Sequence, residues 1–96
     1  MPFSAEVAKT ERRWSQRAQE IVDAVTGQAR ARGVKSRSVV AHSDLVAESI
    51  MSAAKRNKCD LIIMASHGRK GIKRVLLGSE TQHVLTHSAI PVLVLR

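Results

Sequence analysis

The apolar positions of this chain follow two periods. From Trp14 they recur at Ala18, Ile21, Val22, Val25 and Ala29, which is helical rather than strand spacing. Ser4 can cap this helix, and Gly33 can end it in the left-handed conformation that a residue without Cβ adopts at no steric cost. Its apolar face is shaped to lie on a sheet, and Trp14 on that face reads as a core residue. Residues 34–41 read as a strand in which Lys35 and Arg37 alternate with Ser36 and Ser38. Charges of this kind suit a sheet edge, where they discourage stray pairing. Ser43 or Asp44 caps a helix over about 45–57, with Val46, Ile50, Ala53 and Ala54 as its inner face. Residues 61–64, Leu-Ile-Ile-Met, form an unbroken apolar run and hence a buried strand. Ile72, Val75 and Leu76 then share one side of a short amphipathic turn. Gly78 and Ser79 open a last helix, and Gln82 stands three residues after Ser79 as in a capping box. Residues 91–95 form the final strand, with Pro91 first and Val92, Leu93, Val94 and Leu95 apolar on both faces.

Strand, helix, strand, helix, strand gives a right-handed parallel α/β unit, a sheet of three strands with flanking helices. A ligand of such a unit is expected at the carboxyl ends of the strands. The 96 residues suffice for one domain that buries about 60 to 70% of its extended-chain surface. The 44% apolar content excludes a disordered chain. No apolar run is long enough to cross a bilayer and the first residues lack a signal-peptide core, so a cytoplasmic location is expected. Cys59 stands alone just before an apolar strand and reads as an inert thiol, buried or semi-buried.

The net charge of +8 favours polyanionic partners through its long-range field. Lys55, Arg56 and Lys58 suit the negative end of a helix dipole and need no ligand. Arg69, Lys70, Lys73 and Arg74 crowd the loop between Gly68 and Gly78, where they either help to hold an anion or make a solvated basic loop. The layout of strand, glycine loop and helix start is that of a phosphate cradle, because glycines let backbone N–H groups approach an anion and a helix N-terminus presents unpaired ones. The same residues also fit an ordinary turn with a helix cap. Phe3 and Trp14 are the only aromatics, so the stacking platforms of single-strand nucleic-acid binders are missing.

Catalytic and metal chemistry find little support. His83 and His87 are one helical turn apart, but no zincin glutamate follows His83 and no third ligand has a clear route to the pair. His67 lacks a nucleophile and an orienting group beside it, and its interest is its place next to Gly68. Asp44 and Glu48 answer a helix dipole rather than forming a catalytic pair. No catalytic residue and no metal ligand is nominated.

The run Leu-Ile-Ile-Met-Ala-Ser-His-Gly, nine residues, then Gly78 and Ser79, followed at the carboxyl end by Ile-Pro-Val-Leu-Val-Leu-Arg, resembles the universal stress protein family over residues 33–96. In that family the pattern Gly, two residues, Gly, nine residues, Gly with Ser or Thr binds the ribose and phosphates of ATP. The resemblance places the first glycine on Ala65, the second on Gly68 and the third on Gly78. It implies a nucleotide site with Met64, Ala65, Gly68 and Arg69 on one wall and Gly78, Ser79, Glu80 and Thr81 on the other, working chiefly through backbone N–H groups. Glu80 is expected to turn its side chain outward. ATP, with Mg2+ accompanying it, is the implied cofactor, and slow hydrolysis is left open.

The resemblance further implies a truncated Rossmann-like fold of the adenine-nucleotide alpha-hydrolase type, forming one domain over residues 1–96, with an N-terminal helix in 1–33 and the nucleotide loop within 34–96. The family's front strand, helix and strand are absent, so the adenine half of the site is missing and binding is expected to be weak. The family's final strand pairs with its copy, which implies a homodimer through Pro91, Val92, Leu93, Val94 and Leu95. Two readings from other classes stay open: a dimerisation or interaction module that binds no nucleotide, and charge-driven nucleic-acid binding.

Overall fold

A computed structural model of the chain describes residues 2–66 and 77–96. Contacts divide it into two compact units, Met1–His42 and Ser43–Arg96.

The first unit is built on helix α1, Pro2–Ala31. The helix begins at Pro2, where a missing N–H costs nothing in a first turn, so Ser4 lies inside it and is not its cap. Its end follows the sequence. Gly33 has φ of 74°, its N–H donates to the Arg30 carbonyl at 3.0 Å, and the Val34 N–H reaches back to Ala29 at 2.9 Å. This pair of bonds is a Schellman stop, which satisfies carbonyls that the helix leaves unpaired. Trp14 is 62% and Val25 61% exposed, and the Trp14 ring meets His42 edge-on at 6.0 Å. Trp14 is therefore not a core residue within this unit.

Residues 34–41, expected as the first strand, lie in no strand. A strand is defined by its ladder, and here no described neighbour pairs with the segment, whose Val34, Val39 and Val40 stay exposed. The sheet among the described residues accordingly has two strands rather than three.

In the second unit, α2 spans Val46–Arg56, β1 Ile62–Ala65, α3 Ser79–His87 and β2 Val92–Leu95. The two strands are parallel, with Ile62 opposite Val92, Ile63 opposite Leu93, Met64 opposite Val94 and Ala65 opposite Leu95. Residues alternate between faces of a strand. One face carries Ile62, Met64, Val92 and Val94 towards the core, in which Ala47 and Val84 are fully buried and Ala54 and Ile62 nearly so. Ile50, Met51 and Ile90 pack around them. The other face, with Ile63, Leu93 and Leu95, is about half exposed. Among the described residues of this unit the final strand is thus covered on one face only, although its sequence calls for cover on both.

Three local details differ from the sequence reading. The buried side of α2 is centred on Ala47 and Ala54, with Ile50 and Met51 packed beside them, and Val46 at the edge of that side stays half exposed. Its N-cap is Leu45, and Ser43 contributes only by accepting the Leu45 N–H at 3.0 Å. At the other end Lys58 adopts φ of 55°, its N–H bonds the Lys55 carbonyl and the Cys59 N–H bonds that of Ala54, a second Schellman stop without a glycine. The turn leaves Cys59 exposed rather than buried.

Candidate functional site

The start of α3 is fastened to the end of β1. The Gly78 N–H donates to the Ser66 carbonyl at 2.7 Å, and the Thr81 hydroxyl donates to the Ala65 carbonyl at 2.9 Å. Ser66 in turn donates its N–H to the Leu95 carbonyl at 2.6 Å, which ties the carboxyl ends of both strands to the helix entrance. Ser66 and Thr81 are both buried. Their hydrogen bonds answer the cost of placing polar groups there.

Around this junction lies a hollow of about 530 Å³. Met64 and Ala65 come to it from β1, Gly78, Ser79, Glu80 and Thr81 from the start of α3, and Val46 and Ile50 from α2. Six of the eight residues nominated for a nucleotide thus meet at one place. Gly68 and Arg69, with His67 and the cations Lys70, Lys73 and Arg74, lie outside the described residues. The turn of Ile72, Val75 and Leu76 does so as well. The sequence presents Val46 and Ile50 only as packing residues of α2. Their spacing of one helical turn, beside the small and buried Ala47, was the available signal that they share a side.

Gly78 is the N-cap of α3, with φ of −61° and ψ of 152°. This is extended backbone open to any residue, so glycine here serves room rather than a special dihedral. Ser79 is the first helical residue, and no side-chain cap bond is made at this end, so the expected capping box with Gln82 is not formed. The first bond of the helix runs from the Gln82 N–H to the Gly78 carbonyl at 2.9 Å. The N–H groups of Ser79, Glu80 and Thr81 therefore have no acceptor within their own helix. Ala65 lies in a regular strand and not at positive φ, so the methyl at this position strains no backbone.

Glu80 does not simply turn away from the site. Its Oε2 accepts the backbone N–H of Ala47 at 2.9 Å, placing a carboxylate on the N-terminal end of α2. This position is favoured by the helix dipole. Further along, His83 Nε2 stands 3.3 Å from Glu48 Oε1, and the His83 and His87 rings are 4.5 Å apart. His87 Nδ1 faces the His83 carbonyl at 3.0 Å. Among the described residues no group of three or more His, Cys, Asp or Glu is placed to hold a metal ion. No helix among them is long and apolar enough to cross a membrane.

The sequence profile of the Universal stress protein family matches residues 2–96, taking in α1 as well as the 33–96 stretch that carries the motifs. Universal stress protein MJ0577 of Methanocaldococcus jannaschii is 45% identical over 49 residues, which are 51% of this chain and 30% of that protein. Universal stress protein MJ0531 of the same organism is 35% identical over 78 residues, 81% of this chain and 45% of that protein. Against the solved structure of MJ0577 the chain gives a TM-score of 0.81 at 29% identity, covering 91% of this chain and 60% of that one. The chain thus spans less than half the length of these two curated relatives. The fold is α/β and Rossmann-like, and the chain belongs to the universal stress protein family.

Proposed function

We propose that the hollow at the carboxyl end of β1 binds the ribose and phosphate part of ATP, with Mg2+ accompanying the nucleotide, and that the chain acts in the cytoplasm by binding rather than by turnover. The observation that carries the reading is the junction itself. The N–H groups of Ser79, Glu80 and Thr81, which have no acceptor within their own helix, belong to residues that line a hollow at the carboxyl end of a parallel strand, the place where both helix dipole and sheet topology favour an anionic ligand. Phosphates would lie against these N–H groups, and the apolar side chains of Val46, Ile50 and Met64 would meet the less polar part of the ligand. Gly68 and Arg69 belong to the same proposed site. Thr81 would contribute its N–H and not its hydroxyl, which is already given to Ala65.

Titration calorimetry with ATP and Mg2+ on the full chain, beside a Gly78→Asp variant, tests the proposal. Aspartate is a favoured N-cap, so the variant should fold while placing a negative charge in the hollow. Saturable binding by the parent and its loss in Gly78→Asp are the expected results, whereas equal binding by both, or none by a folded parent, would reject the site.

The half-exposed apolar face of Ile63, Leu93 and Leu95 favours an additional role in self-association. Pairing through Pro91, Val92, Leu93, Val94 and Leu95 would extend the sheet and make a homodimer. Sedimentation of the parent beside Val94→Pro, which removes a ladder N–H, separates dimer from monomer. Should the dimer form without any nucleotide binding, the chain is better read as an interaction module.

A further inference from the structure

We infer that Glu80 determines which ligands the hollow accepts: its carboxylate, fixed on the N-terminus of α2, selects against bare polyphosphate and in favour of nucleotide that arrives with a divalent cation. The inference deepens the nucleotide reading above and rests on it.

Glu80 lines the hollow between Ser79 and Thr81, the residues whose N–H groups would receive a phosphate. Glu80 is an exposed residue, and a glutamate without a partner could swing aside from an incoming anion. This one is held by its 2.9 Å bond from the N–H of Ala47, a residue whose own side chain is fully buried and whose position is therefore set by the core. The α2 N-terminus also borders the hollow, through Val46, and would otherwise be a second place for a phosphate. It already has its anion in Glu80. The neighbouring acid, Glu48, does not line the hollow and faces His83 at 3.3 Å instead, so Glu80 is the carboxylate among the described lining residues.

A phosphate placed on the N–H groups of Ser79 and Thr81 would thus share the hollow with a fixed negative charge. At a dielectric between that of a protein surface and that of bulk water, as suits an exposed carboxylate, a repulsion across several ångströms is worth about tenfold in affinity per close pair, and salt screens it. A divalent cation on the phosphates reverses the sign, since the same carboxylate then faces positive charge.

The test compares the full chain with Glu80→Gln, whose amide oxygen can still accept the Ala47 N–H. Each is titrated with ATP, AMP and inorganic tripolyphosphate, with and without Mg2+, at low and high salt. Expected is a gain of about tenfold for the variant with magnesium-free ATP and tripolyphosphate. The gain should be smaller for AMP, should shrink at high salt and should largely vanish with Mg2+. A purely structural role for Glu80 would instead loosen every ligand alike, and that result overturns the inference, as do equal affinities in parent and variant. If neither chain binds any of these ligands, the nucleotide reading itself fails and this inference falls with it.

Discussion

Glu80 and Ala47 are joined by a 2.9 Å hydrogen bond from the Ala47 N–H to a Glu80 carboxylate oxygen, across 33 residues of sequence. One acid from the first turn of α3 therefore serves as the cap of α2, whose own N-cap residue, Leu45, has no side-chain acceptor to offer. The bond fixes the two helices that wall the hollow.

Removal of that carboxylate should cost stability. Glu80→Ala is expected to lower the unfolding free energy by about 1 kcal/mol, the usual loss for an N-terminal cap. Glu80→Gln should lose less, because its oxygen still accepts. Urea unfolding of the three proteins gives the comparison, and an unchanged midpoint for Glu80→Ala would mean that water serves the Ala47 N–H equally well.

Thr81 illustrates a buried hydroxyl with one task. Its side chain is nearly inaccessible and donates to the Ala65 carbonyl at 2.9 Å. Thr81→Val keeps the shape but leaves that carbonyl without its donor, so a loss of about 1 to 2 kcal/mol is expected from denaturant unfolding. Thr81→Ser, which keeps the hydroxyl, should recover part of it.

The two Schellman stops invite opposite substitutions. Lys58 holds φ of 55° with a Cβ, and Lys58→Gly should stabilise the chain by about 1 kcal/mol. Gly33, at φ of 74°, should lose about as much on replacement by alanine. Thermal melts of both variants check the signs, and a destabilising Lys58→Gly would contradict the cap assignment.

Gly27 lies within α1, and a Cβ built on it meets nothing within 4 Å. Gly27→Ala should therefore raise stability by about 0.5 to 1 kcal/mol through helix propensity alone. A melting temperature that falls would place an unseen neighbour at this position.

Much of the hollow's lining was legible because its signals are local. The apolar run before Ser66, the glycine at 78 and the helix start at Ser79 each act over a few residues, and the structure brings those segments to one hollow. Gly33 announced its stop for the same reason. What could not be read depends on partners distant in sequence. The 34–41 segment has strand-like alternation, but whether it forms a strand depends on a neighbour that no local pattern supplies. Glu80 has the composition of a first-turn acid serving its own helix, and only the packing of α3 beside α2 turns it to Ala47. Trp14, apolar in pattern and mostly exposed in the fold, shows that a helical stripe states which side seeks cover and not what provides it.

The most direct measurement of the central claim is a titration of the 15N-labelled full chain with ATP and Mg2+, followed through its backbone amide resonances. If the hollow receives the phosphates, the amides of Ser79, Glu80 and Thr81 should shift first and most, with Ala65 following. Saturating shifts confined to other residues, or none at all in a folded chain, would contradict the account.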